Sequence, residues 1–191
     1  VDDKVKVGQK IGDSKSNISA PVHSSISGQV ILIAQKPHPL LPSNVMSIVI
    51  KSDGKSTLDD SVKPYSNADG LSKHEIIEII KEKGIVGLGG AQFPTHIKLK
   101  SPKQIDTVII NGCECEPILN SDYRIMKERT EELVLGLRLI MKTSDANKGI
   151  IAIEDNKTDV ADILKEKSSK YGDIDVVVLK TKYPEGAERM L

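Results

Sequence analysis

Four glycines fall within seven positions in the segment GIVGLGGAQFPTHIK, residues 84–98, and Phe93, the only phenylalanine of the protein, follows them. Such a loop lets the backbone adopt positive φ and approach a ligand, and a run of free N–H groups in it suits a phosphate. Gly87, Gly89 and Gly90 are the candidate cradle, with Lys98 supplying a positive charge nearby. A tight helix-to-loop connection with no ligand would use the same residues, so this loop does not decide its own role.

A second candidate is NGCECEP, residues 111–117. In an extended backbone Glu114 and Glu116 project to one side, with Cys113 and Cys115 on the other. Paired carboxylates can bind a metal, act as acid and base, or accept hydrogen bonds from a ligand's hydroxyl and amide groups. Magnesium wants phosphate or further carboxylates, and an acid/base pair wants a partner nucleophile that the sequence does not identify. The third use suits a place beside a glycine loop, and solvated acids on a turn are the plain alternative. The CxC pair would make a strained disulfide and lacks third and fourth zinc ligands, so free thiols are expected. The last candidate, YPEGAE at 183–188, carries Tyr183, Gly186 and Glu188, whose individual signals are weak. Lys15, His23, His38, His74 and His96 are expected to face solvent, with no chemical role.

These candidates need elements to hold them. Residues 1–55 alternate short Val/Ile runs (5–7, 29–34 and 45–50) with glycines and prolines, which predicts a small turn-rich β module. The polar stretch 52–70 reads as linker or extended loop, with the linker proper at 56–70. From 71 the apolar residues recur on a helical period, Ser72 and Glu75 are spaced as a capping box, and Gly84 stops the helix. Beyond the glycine loop the pattern predicts a strand at 107–110, a helix over about 121–142 with Ile125, Leu133, Leu137 and Ile140 inward, and a strand at 149–153. A helix at 157–170 and a strand at 174–179 complete it. Strand, helix, strand, helix, strand implies an α/β domain at 71–191 with a parallel sheet and helices on both faces. Ligands of such sheets bind beyond the carboxyl ends of the strands, where 111–117 and 183–188 both fall.

Composition narrows the function. The 191 residues carry 27 basic and 27 acidic side chains, so net charge favours neither nucleic acid nor an anionic membrane as partner. No apolar run approaches a membrane span and the N-terminus lacks a signal-peptide pattern, which points to a soluble, intracellular chain. Two cysteines are too few to hold an iron–sulfur cluster. The chain begins at Val1 and ends within YPEGAERML, from which a fragment of a longer protein is expected.

Three segments in order carry a resemblance. GIVGLGGAQFPTHIK looks like a flavin-binding glycine loop, NGCECEP with the following SDYRIM looks like the segment after the next strand, and YPEGAERML looks like a third site segment. Together they resemble the C subunit of Rnf-type electron transport complexes and, more distantly, the NADH-binding, FMN-containing subunit of respiratory complex I. In front of them VKVGQKIGDSKSNISAPVHSSISGQV, residues 5–30, resembles biotinyl/lipoyl-type barrel-sandwich hybrid domains, with too short a hairpin to present a carrier lysine.

The resemblance implies FMN on a Rossmann-like domain, with NADH stacking on the flavin and passing it a hydride, and no side chain acting as nucleophile. By that likeness Gly87, Gly89 and Gly90 pack against FMN, Lys98 pairs with it, and Asn111 hydrogen-bonds the ring or ribityl chain. Glu114 and Glu116 shape the flavin–nicotinamide pocket, and Gly186 and Glu188 close it. Iron–sulfur clusters are expected only in the full-length protein. Implied partners are NAD(H) and other subunits of an electron transport complex, reached without a membrane span from the cytoplasmic side, or alternatively a cytosolic reductase. Leu88 and Gln92 stand where the complex I loop has arginine and glycine, which keeps open a non-catalytic assembly module.

Overall fold

The computed structural model describes residues 1–39, 41–65, 67–88 and 92–191. Its contacts divide the chain into two compact units, one made of Val1–Asn67 and Glu78–Ile97, the other of Ala68–Ile77 and Lys98–Leu191. Two of the three divisions fall inside helices, and the described residues of the glycine loop group with the β residues and not with the parallel sheet.

In the β unit, β1 (Lys4–Val5), β4 (Gly28–Pro37) and β5 (Asn44–Ser52) form an antiparallel sheet in the order β1-β4-β5, and β2 (Lys10–Gly12) pairs with β3 (Val22–His23). A register shift between Val30 and Leu32 marks a bulge in the long β4–β5 ribbon. Part of the polar stretch after β5 is built into this unit: the Val7 N–H donates to the Thr57 carbonyl and the Asp59 N–H to the Val7 carbonyl, each at 2.9 Å.

The helix α1 (Lys73–Glu82) begins at the expected capping box. The Ser72 N–H donates to Glu75 Oε2 at 2.8 Å and the Glu75 N–H to Ser72 Oγ at 3.3 Å, satisfying two donors that the helix leaves open. It ends at Gly84, whose φ of 65° suits glycine. A Cβ there would also overlap the Pro21 carbonyl oxygen. The short α2 (Thr95–Leu99) follows the loop.

In the second unit β6 (Thr107–Gly112), β7 (Lys148–Glu154) and β8 (Ile174–Leu179) form a parallel sheet in the order β6-β7-β8. The helices α3 (Ser121–Glu128), α4 (Thr130–Ser144) and α5 (Thr158–Ser168) pack with it around one core, in which Met126, Leu137, Ile151, Ile153, Val160 and Leu164 are buried. A 3-10 turn (Asp155–Lys157) joins β7 to α5.

Three expectations are corrected here. The single helix over 121–142 is two, broken at Arg129 (φ −130°, ψ 39°). With the break, the stripe that meets the core runs through Met126, Thr130, Val134, Leu137 and Met141. Ile125, expected inward, is 52% exposed, because the burial of Met126 turns its neighbour outward. His96, expected in solvent, is buried, since α2 begins beside the buried Pro94 and its first turn carries His96 inward.

Candidate functional site

A parallel sheet exposes its strand C-termini along one edge. At this edge β6 ends in Asn111–Gly112, β7 in Glu154 and β8 in Leu179, after which the chain turns back through 181–191. The two sequence segments expected at this edge do meet there. Asn111 Nδ2 donates to the Gly186 carbonyl at 2.8 Å, and the Gly186 N–H donates to Cys115 Sγ at 3.3 Å. Gly186 lies so close to the turn that a Cβ on it would overlap the Cys113 carbonyl oxygen and sit 3.0 Å from Cys115 Sγ. A second tie holds the returning chain: the N–H and hydroxyl of Thr181 donate to Asp155 Oδ1 at 2.9 and 2.6 Å.

Asn111 is also the hinge of the turn, because its Oδ1 accepts from the Cys113 N–H at 3.1 Å. An asparagine side chain has two N–H donors and an oxygen with two lone pairs. These bonds use one of each and leave one of each for a ligand.

Glu114 and Glu116, expected to act as a pair, are separated. The backbone after Gly112 leaves the extended form, so the two side chains do not share a side. Glu116 is exposed, whereas the Glu114 side chain is 2% exposed and turned to the N-terminus of α3. There it accepts from Ser121 Oγ and the Asp122 N–H at 2.9 Å each and from the Tyr123 N–H at 3.2 Å. A carboxylate at this position satisfies open helix donors and meets the positive end of the helix dipole. Burial works against its charged form, yet the N–H groups of Asp122 and Tyr123, the Ser121 hydroxyl and the Lys157 ammonium together hold its carboxyl below the usual range. Asp122 is shifted the other way, first by burial and then by the neighbouring Glu114 charge.

The two thiols are free, Cys113 buried and Cys115 partly so. Burial, and after it the negative charges of Glu154 and Glu185, push the Cys113 thiol from its ordinary value of 9.0 up to about 11. The folded chain therefore favours the neutral thiol, and the stability it gains from that form is present below pH 9.0 and is lost as pH rises through about 11. A 13Cβ chemical-shift titration of Cys113 in the Cys115→Ser variant, where it is the only cysteine, should find no ionisation until well above the ordinary thiol range. A midpoint at or below 9.0 would contradict it.

The other expected residues take no part in this clasp. Glu188 is exposed on the returning segment. Lys98 lines a cleft of about 310 Å³ with Lys73, Lys103 and residues 143–145. Residues 101–105 and 143–145 lead into the amino ends of β6 and β7, so Lys98 is a strand's length from the edge where Asn111 and Gly186 meet. In the β unit the two described arms of the glycine segment approach each other: Val86 bridges Pro94, and the Gly87 N–H donates to the Phe93 carbonyl at 3.0 Å. Among the described residues, a Cβ on Gly87 would meet nothing nearer than that carbonyl at 3.8 Å, and the neighbouring Leu88 is 90% exposed. The loop and residues 18–23 line a cleft of about 650 Å³. Gly89 and Gly90 lie outside the described residues.

Two residues of this edge escaped the sequence reading. Glu154 ends β7 and is fully buried, and Lys157 follows it with a side chain 11% exposed. The available signal was their position: IEDNK leaves the middle strand of the sheet just as NGCECEP leaves the first.

Two family models match successive parts of the chain. Residues 1–55 match the family described as the RnfC barrel sandwich hybrid domain, and residues 80–191 match the Nuo51 FMN-binding domain. The chain is 44% identical, over 99% of its length, to the C subunit of the sodium-translocating ferredoxin:NAD(+) oxidoreductase complex of Acetobacterium woodii. It is equally similar, at 44%, to the C subunit of the proton-translocating ferredoxin:NAD(+) oxidoreductase complex of Clostridium ljungdahlii. Identity to the C subunit of the ion-translocating oxidoreductase complex of Haemophilus influenzae (strain PittEE) is 37%. The chain spans 43% and 41% of the length of the first two relatives. Among solved structures, an NAD+-reducing [NiFe]-hydrogenase in the H2-reduced state shares the fold over 61% of this chain and 23% of its own, with a TM-score of 0.55 at 22% identity.

Proposed function

Since this chain belongs to the RnfC-like proteins, with an RnfC barrel-sandwich domain ahead of a Nuo51 FMN-binding domain, we propose that it is the flavin-site portion of an electron-transfer subunit that exchanges a hydride between NAD(H) and FMN. The electrons pass to iron–sulfur clusters carried by the rest of the full-length protein, and the partners are NAD(H) and the other subunits of the complex. No helix among the described residues is long and apolar enough to cross a membrane.

The observation that carries this reading is the clasp at the strand ends, where Asn111 and Cys115 hold the backbone of Gly186 from both sides. It joins two of the three segments that a flavin site needs. The residues fit such a ligand: Asn111 keeps one donor and one acceptor for a ring or hydroxyl edge, and the exposed Glu116 offers a carboxylate to further hydroxyls. Among the described residues the backbone at Gly87 has room for close approach by a phosphate or a ring. Bound FMN supplies the chemistry, since a flavin takes two electrons together and returns them singly. The chain's own residues bind and orient. Gly186 and Glu188 border the site from the returning segment, and Glu114 acts at one remove by fixing the turn that carries Asn111's partner N–H.

Titration of the full-length protein with FMN, followed by anaerobic addition of NADH, tests this. Retained flavin whose visible absorbance bleaches with NADH is the expected result. Flavin that is retained but stays oxidised would remove the hydride exchange, and no retention would leave the assembly-module reading, which the exposed Leu88 favours.

A further inference from the structure

A carboxylate buried without hydrogen bonds is costly, and proteins rarely keep one unless it does something. Glu154 is such a group. It is fully buried at the carboxyl end of the middle strand, and neither of its oxygens has a hydrogen-bond partner among the described residues. Its nearest cation is Lys157, whose Nζ lies 3.8 Å from Glu154 Oε2. The same ammonium lies 3.7 Å from Glu114 Oε2 and donates to the Glu114 backbone carbonyl at 3.1 Å. Lys157 thus touches Glu114 twice, at its side chain and at its backbone, while Glu154 stands behind it. A hydrophobic residue at 154 would fill this space at lower cost. What the charge adds is direction: an ammonium on a flexible stem is drawn to one place.

We propose that Glu154 and Lys157 are positioning residues of the strand-end site: Glu154 fixes the Lys157 ammonium, and Lys157 fixes the carboxylate and the carbonyl of Glu114, which sets the turn at 113–116 and the start of α3. The turn so held presents Asn111 and the clasp on Gly186 to the ligand. That the ligand is FMN rests on the function proposed above; the positioning itself does not.

The test uses the full-length protein with Lys157→Met, Lys157→Arg and Glu154→Gln. Two readouts are taken: amide hydrogen exchange at Asp122 and Tyr123, whose N–H groups donate to Glu114, and the dissociation constant of FMN from flavin fluorescence. Lys157→Met is expected to speed exchange at these two amides by about tenfold or more while the amides of β8 change far less, because the loss is local. FMN binding should weaken by about tenfold, and Lys157→Arg, which keeps the cation, should stay within about threefold of the parent in both readouts. Glu154→Gln should fall between them, and it carries the same comparison if Lys157→Met does not fold. Exchange that rises at 122 and 123 only in step with β8, or an arginine variant no better than methionine, would overturn the proposal. A parent protein that binds no FMN would overturn the flavin reading alone, and the exchange measurement would still decide the positioning.

Discussion

Glu114→Ala is expected to destabilise the α/β unit by about 3–5 kcal/mol, the range found when one partner of a buried, hydrogen-bonded charge pair is removed. Three donors at the start of α3 lose their acceptor, namely the Ser121 hydroxyl and the N–H groups of Asp122 and Tyr123. Lys157, at 11% exposure, is left with a buried charge and one fewer partner. Urea denaturation measures the effect, with Glu116→Ala as the control, expected to change stability by no more than about 0.5 kcal/mol because that side chain is exposed. Equal losses in the two variants would show that the capping contacts are not what stabilises the turn. Acid provides a second check. The Glu114 carboxyl is held below its ordinary value of 4.5, so its contribution is present above that pH and is lost as the pH falls below it through the folded-state value. In Glu114→Ala this part of the acid loss should be missing.

Gly186→Ala should have the largest effect on ligand binding. Its methyl group would overlap the Cys113 carbonyl oxygen, a backbone atom that cannot swing away, and would crowd Cys115 Sγ at 3.0 Å. The returning segment must then lift, and the bonds from Asn111 Nδ2 and to Cys115 Sγ are lost with it. Two modest hydrogen bonds are worth about 1–2 kcal/mol together, so the fold should survive. FMN affinity in the full-length protein should nevertheless fall by more than about tenfold, because a binding group displaced by an ångström loses most of its contribution. Gly172→Ala is the control: nothing lies within 4 Å of a Cβ there, and its effect should be small. Unchanged affinity in Gly186→Ala would show that the clasp is not part of the site.

The acids of NGCECEP show why the site was only partly legible. Their spacing suggested a matched pair, as it would on an extended strand, but β6 ends at Gly112 and the turn sends Glu114 inward and leaves Glu116 outside. A carboxylate between two residue types that both tolerate a turn has no local signal saying which helix it will cap. The ion cluster of Glu154, Lys157 and Glu114 was hidden for the same reason, since Lys157 and Glu114 are 43 residues apart in sequence and meet only because β6 and β7 are adjacent. Lys98 shows the converse. It is close in sequence to the glycine loop, yet it lines the cleft at the opposite ends of the strands.

By itself the sequence determined the order of the main strands and helices, though not α2 or the break at Arg129. Apolar periods of two and of three to four residues set strand against helix, the Ser72–Glu75 box and Gly84 set the ends of α1, and the βαβαβ order required a parallel sheet with its loops gathered at one edge. Those are properties of neighbours along the chain. The tertiary structure alone decided which side chains the edge brings together: Glu114 on the helix N-terminus, Lys157 between two buried carboxylates, Gly186 against the turn, and Ile125 turned outward ahead of the break at Arg129. Periodicity fixes the face on which a residue lies, but the partner it meets depends on contacts between distant segments, and burial then determines which of those charges must be paired.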